Sequence, residues 1–151
     1  MTTQFAPFKE AIIGQPIAHV WRGHGSALLI EFGNLTQSTK RDGSPGQLRG
    51  EITLMVEWSW RIEKTRSIVG GSWSSERRWP SMFKKLIGAT VTEFELFGVL
   101  PEVMVTLSNG IRIISFMTAE GQPSWALITR QGQLGTLFVQ KGRLSIEKAI
   151  N

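Results

Sequence analysis

A chain of 151 residues with 41% hydrophobic residues has the size of one globular domain and enough apolar side chains for a buried core. Its 16 glycines, 6 prolines and 19% charged residues exclude a disordered or collagen-like chain, and the absence of cysteine excludes disulfides, thiolate metal sites and cysteine nucleophiles. The net charge of +5 is concentrated in one stretch: residues 61–85 carry Arg61, Lys64, Arg66, Arg77, Arg78, Lys84 and Lys85 against Glu63 and Glu76, while cations and carboxylates balance on either side of it.

The N-terminal MTTQFAPFKEAIIGQPI lacks a basic start, an apolar stretch and a small-residue cleavage site, and no apolar run in the chain is long enough for a bilayer. The expectation is a cytoplasmic protein with no membrane partner. In APFKEAIIG, Pro7 near the start and Gly14 at the end predict a helix of about two turns. The strand ALLIEF follows a glycine-flanked turn that holds His24 beside Ser26. Next comes GNLTQSTKRDGSPGQLRG, polar and rich in turn formers, which reads as a long loop or extended hairpin. As a surface insertion it offers Lys40, Arg41, Asp42 and Arg49 as candidate contacts.

In GEITLMVEWSWRIE the even positions from Ile52 to Ile62 are all apolar, including Trp58 and Trp60. Sustained period-two alternation predicts one long strand with both indoles on its core face. The alternative for the indoles is a groove where the strand overruns its partner sheet. The following basic stretch combines cations with Trp73 and Trp79. Cations hold polyanions and aromatic rings stack on bases, so Arg61, Lys64, Arg66, Trp73, Arg77, Arg78, Trp79, Lys84 and Lys85 are polyanion-binding candidates. The competing reading is a solvated connection, because no recognised RNA-binding motif accompanies the charges.

WPSMFKKLIG repeats the helix layout with Pro80 and Gly88. In VMVTLSNGIRIISF, a two-residue turn at Asn109-Gly110 would pair Leu107 with Arg112, Val105 with Ile114 and Val103 with Phe116, facing inward. The opposite face would then present Met104, Ile111 and Ile113 as interface candidates. A C-terminal hairpin over 134–148 turns near Lys141-Gly142, with Leu137, Val139, Leu144 and Ile146 on its apolar side.

Two stretches read alike in register: Ile13, Gly14, Ile17 and Val20 against Ile87, Gly88, Val91 and Phe94, then Leu28, Ile30 and Phe32 against Val103, Val105 and Leu107. WSWRIE at 58–63 also lies against PSWALI at 123–128. The expectation is a single domain of two sequence-related β units, about 5–66 and 79–130, followed by the hairpin. About eight to ten strands and two short helices favour a mainly β fold, an antiparallel sandwich or partly open barrel, over an α/β fold.

The shared pattern of IG-x-x-V/I, a strand ending in N or NG and a later W resembles small uncharacterised bacterial duplicated β-domain proteins, some of them immunity-protein-like, over residues 8–130. The resemblance implies a binding role and brings no catalytic residues. An immunity-type binder of a nuclease is usually acidic, and this chain departs from that.

Motifs of catalysis are missing. His19 and His24 are the only imidazoles, and there is no nucleophile elbow, zinc-protease or calcium-loop pattern. GGSWSS at 70–75 lacks the lysine of a phosphate loop, and Glu57 with Glu63, or Glu93 with Glu95, have the spacing of solvated strands. No catalytic residue, metal site or cofactor is expected. The expected function is a non-catalytic binding or protein-interaction module, with a second copy of itself or another protein as partner. Nucleic acid or another polyanion at 61–85 is the alternative, and a small ligand between the two units is the second alternative.

Overall fold

Two glycine-stopped helices each lead a run of short strands in the structure, a computed structural model that describes residues 4–120 and 124–149. The first half runs α1 (Phe5–Ile12), β1 (Ile17–Arg22), β2 (Leu28–Phe32), β3 (Thr36–Thr39), β4 (Pro45–Arg49), β5 (Ile52–Val56), β6 (Trp60–Lys64) and β7 (Ser67–Gly71). A 3-10 turn at Glu76–Arg78 leads into the second half: α2 (Trp79–Leu86), β8 (Val91–Phe97), β9 (Glu102–Leu107), β10 (Ile111–Ser115), β11 (Trp125–Thr129), β12 (Thr136–Gln140) and β13 (Arg143–Glu147). Thirteen strands among the described residues exceed the eight to ten expected, because the polar insertion forms two and the longest expected strand is cut in two.

Both helices stop where the sequence says, at Gly14 with φ 85° and Gly88 with φ 93°, values that a side chain would resist. Each buries one stripe: Phe5, Phe8 and Ile12 from α1, and Trp79, Met82 and Leu86 from α2.

The strands form a mainly β, antiparallel arrangement of two large open sheets. Sheet one is ordered β1-β2-β5-β11-β12-β13, and sheet two β7-β6-β10-β9-β8; β3 and β4 pair as a separate two-stranded arm. Each sheet takes three adjacent strands from one half of the chain and completes itself with strands from the other. One apolar cluster fills the space between them, with Leu54, Val56 and Leu127 from sheet one and Ile62, Val105 and Ile113 from sheet two.

The two sheets share their layout in detail. The Gly14 amide donates to the Val91 carbonyl at 2.8 Å and the Gly88 amide to the Ile17 carbonyl at 2.8 Å. Strand irregularities fall between Ile17 and His19 in β1 and between Val91 and Glu93 in β8. The Trp60 indole donates to the Ser26 carbonyl at 2.7 Å, and the Trp125 indole to the Pro101 carbonyl at 3.0 Å. Pro123, within the stretch matched to 58–63, lies outside the described residues.

Three sequence expectations are corrected. The alternating run 52–62 is not one strand: β5 ends at Val56 in sheet one and β6 starts at Trp60 in sheet two. Because both sheets face the same core, Ile52, Leu54, Val56, Trp60 and Ile62 are all buried and the alternation survives the crossing. Trp58 sits in the crossing and is 39% exposed, so only Trp60, at 4%, is a core indole. The β9–β10 register is the second correction: Val105 faces Ile113 and Met104 faces Ile114, one residue away from the expected pairing. The turn spans Ser108, Asn109 and Gly110, with the Gly110 amide bonded to the Leu107 carbonyl and the Ile111 amide to Asn109 Oδ1. That extra residue reverses the parity of β10, so Phe116 is turned out and is 63% exposed. In the third, Ile111 and Ile113 point into the core at 3% and 1% exposure, and of the interface candidates only Met104 keeps an outward, half-buried place.

The C-terminal hairpin turns at Lys141 and Gly142, both at positive φ, and pairs Gln140 with Arg143. Leu137 is buried, and Val139, Leu144 and Ile146 pack half-buried against the core.

Candidate binding surfaces

The basic stretch 61–85 runs along β6 and β7, through the 3-10 turn and into α2. Trp79 drops out of the candidate set. It is 4% exposed, meets Trp60 edge-on at 5.2 Å and Phe83 at 5.8 Å, and donates its indole N–H to the Ser74 carbonyl. Its outer side is covered by Arg22, 4.8 Å from the ring and ion-paired with Glu76 at 2.8 Å. Arg61 pairs with Glu63 at 3.0 Å, and Glu63 also takes Arg112 at 2.7 Å. Arg78 donates to the Val69 carbonyl at 3.1 Å, which caps part of β7.

Lys64, Arg66, Arg77, Lys84 and Lys85 are exposed, and none has a carboxylate partner among the described residues. Hydrogen bonds gather four of these at one end of sheet two. Asn109 Nδ2 donates to the Lys85 carbonyl at 2.9 Å, Arg112 Nη2 donates to the Thr65 carbonyl at 3.0 Å, and Lys64 lies across from Ile111. The β6–β7 turn, the β9–β10 turn and the last turn of α2 thus put Lys64, Arg66, Lys84 and Lys85 near one another.

The other end of the outer face of sheet two is aromatic. Trp73, 87% exposed, and Phe116 border a cleft of about 500 Å³ whose walls include Phe97, Ile114, Arg61 and Thr118. Trp73 was a sequence candidate for stacking. Phe116 and Ile114 were not candidates, because the expected two-residue turn hides them; reading Ser108 as part of the turn finds both.

The outer face of sheet one carries a feature that the candidate set lacks. Glu31, in the middle of β2, is fully buried. Its Oε2 accepts the Trp21 indole N–H at 2.8 Å, and its Oε1 accepts the Gly50 amide at 3.0 Å and the Thr53 hydroxyl. Arg49 and Arg130 stand 3.9 Å away. Arg49 lies over the Trp21 ring at 4.9 Å, and Arg130 Nη1 donates to Thr53 Oγ1 at 2.6 Å and to the Gly50 carbonyl at 3.1 Å. Burial holds the Arg130 guanidinium below its ordinary value; Glu31 opposes this and Arg49 adds to it. The sequence signal was a lone glutamate inside the apolar run ALLIEF, since a carboxylate at a core position requires partners. A second buried carboxylate, Glu102, is satisfied by the Ser115 hydroxyl and the Met117 amide, both at 2.7 Å.

The remaining candidates are separate. Lys40, Arg41 and Asp42 sit at the tip of the β3–β4 arm, where the amide and hydroxyl of Ser44 bond Asp42 and hold its carboxyl below the usual range. His24 is exposed in the β1–β2 turn and His19 meets Gln47 Oε1 at 3.0 Å. Glu57 is half-buried at the crossing between the sheets. Between α1, β8 and the C-terminal hairpin lies a further cleft of about 870 Å³, walled by Phe5, Leu96, Val99, Lys9, Glu95 and Arg143. The Glu95 carboxyl there is raised by its hydrogen bond with Glu93 and by that group's charge, with Lys9 opposing. Among the described residues, no group of three or more His, Asp or Glu is placed to hold a metal, and no helix is long and apolar enough to cross a membrane.

Comparison with known proteins found no matching family model, no matching curated protein and no matching solved structure.

Proposed function

We propose that this protein is a non-catalytic interaction module that docks an acidic, aromatic-bearing protein segment on the outer face of sheet two. The observation that carries the reading is Trp73, 87% exposed beside a cleft of about 500 Å³ that it shares with Phe116. A large apolar ring held in water at a cleft is costly to leave uncovered, and aromatic anchors with arginine are the usual centre of a protein interface. Charge selects the partner. The whole net excess of +5 lies in 61–85, so an acidic segment gains attraction along the same face. An isologous contact between two copies there would bring like charges together, which makes a second copy the less favoured occupant.

The duplicate arrangement supports the reading of two sequence-related β units. In that reading both units supply the sandwich, and the face that differs between them supplies the binding.

A random copolymer of glutamate and tyrosine is a suitable probe, with polyglutamate and a single-stranded oligothymidylate as controls. Titration should quench tryptophan emission most strongly with the copolymer, and Trp73→Phe should change that signal. Binding by polyglutamate equal to the copolymer would remove the aromatic requirement. Sedimentation at several concentrations tests self-association, and a dimer abolished by Trp73→Ala would replace the acidic partner with a second copy.

Polyanion binding is the second reading, favoured by Lys64, Arg66, Lys84 and Lys85 at one end of the sheet, which have no carboxylate partner among the described residues. It predicts oligonucleotide binding that weakens steeply with salt and survives Trp73→Ala.

A further inference from the structure

The geometry points to a small oxyanion site on the opposite side of the molecule, between Arg49 and Arg130. These two side chains share a pocket of about 350 Å³ formed by the base of the β3–β4 arm and the end of β11, with Thr36, Ser38, Asn34 and Glu51 in its walls. Both guanidinium groups are held from beneath. Arg130 is pinned through Nη1 to Gly50 and Thr53, and the Arg49 guanidinium carbon lies over the Trp21 ring, 4.9 Å from its centroid. Below them the buried Glu31 anchors the assembly through Trp21, Thr53 and Gly50 without lining the pocket.

What remains on the pocket side is a set of unused donors. A guanidinium has five N–H groups. Nη1 of Arg130 is committed, whereas its Nε and Nη2 have no hydrogen-bond partner among the described residues. The Arg49 side chain makes no hydrogen bond among them, its only ionic neighbour there being Glu31 at 3.9 Å, too far to receive a proton well. The two side chains are 35% and 34% exposed and both line the pocket, so these donors are within reach of a ligand as well as of water. The wall anion, Glu51, does not compete for them in full: its Oε2 accepts the Asn34 amide at 3.3 Å.

Two planar forks lining one pocket match a ligand group that offers two or three coplanar or tetrahedral oxygens. The chemistry is therefore a carboxylate or a phosphate, taken by bidentate hydrogen bonds. Because the guanidinium groups are already ordered by Glu31 and Trp21, little side-chain freedom is lost on binding. With Glu31 and Glu51 balancing the two arginines, the site recognises by donor geometry more than by net charge. Its affinity should fall only gently with salt, unlike any polyanion contact at 61–85.

The test is titration of the whole chain with inorganic phosphate and, separately, acetate, followed by nitrogen-edited NMR of the tryptophan indoles. The Trp21 indole, which donates to Glu31 beneath Arg49, should shift saturably and before the other indoles. Arg49→Gln should weaken the binding about tenfold, as loss of a bidentate charged contact does, while a Lys84→Gln/Lys85→Gln double variant leaves it unchanged. Arg49→Lys keeps the charge and loses the fork, so it should weaken binding similarly even if the glutamine variant fails to fold. The stronger of the two anions identifies a carboxylate or a phosphate as the source. No saturable shift at Trp21, equal binding by Arg49→Lys, or loss of binding in the lysine double variant would each overturn the site.

Discussion

Three adjacent strands of each sheet pair a row of three residues, and the two rows are built from different chemistry. In sheet one it is Glu31, Thr53 and Ile128; in sheet two it is Thr106, Arg112 and Glu63. The sheet-two ion pair is side by side and partly solvated. The sheet-one carboxylate is sealed, because the insertion between β2 and β5 brings Arg49 and the Gly50 amide onto it. Between β9 and β10 the chain has only Ser108, Asn109 and Gly110. Both inner faces are apolar and the outer faces differ: one is closed around a buried ion cluster, the other is open beneath Trp73 and Phe116.

The comparison is broken most forcefully at the like-placed indoles. Trp60→Ala and Trp125→Ala should each cost about 3–5 kcal/mol in urea unfolding, the range for emptying a packed tryptophan site. Costs that differ by more than about 2 kcal/mol would show that the two halves do not share the core equally.

Glu31 comes next. Glu31→Ala strands two cations and three donors, and should lose about 3 kcal/mol, the low end for breaking a buried pair because both arginines reach water. Thr106→Ala, at the like place in sheet two, should cost about 1 kcal/mol or less. Equal losses would mean that the ion cluster does not stabilise sheet one.

The smallest effect concerns Glu93 and Glu95, which stand where β1 has His19 and Trp21. The Glu95 carboxyl is raised by Glu93, so the folded protein binds its proton more tightly than the unfolded chain. Its contribution is complete below the ordinary carboxylate value and is lost as pH rises through the raised one. In a titration of stability against pH, Glu95→Gln should remove that decline, and no change in the profile would rule the pair out as its cause.

Much of the architecture was legible because it rests on local rules. Gly14 and Gly88 stop their helices, Lys141-Gly142 turns a hairpin, and apolar alternation marks the buried positions of β5 and β6. The misreadings have two causes, the first being that periodicity reports burial and not sheet identity. A strand that crosses from one sheet to the other keeps its parity, so the corner at Glu57–Ser59 left no mark except Trp58. One extra turn residue at Ser108 was enough to exchange Ile113 for Ile114 on the outer face. The basic stretch was visible as charge, but its division into the buried Trp79 and the open Trp73 depends on packing. Glu31 was detectable as a charge within an apolar strand, whereas its partners Arg49 and Arg130 are brought to it only by the fold.

The separation of packing from binding is tested most directly at Trp73, by measuring unfolding stability and acidic-copolymer affinity on the same Trp73→Ala preparation. Stability should stay within about 0.5 kcal/mol of the parent, as for a surface substitution, while affinity falls roughly thirtyfold, the loss of one aromatic anchor. Unchanged affinity, or a loss of stability matching that of Trp60→Ala, would contradict the assignment of binding to the open face of sheet two.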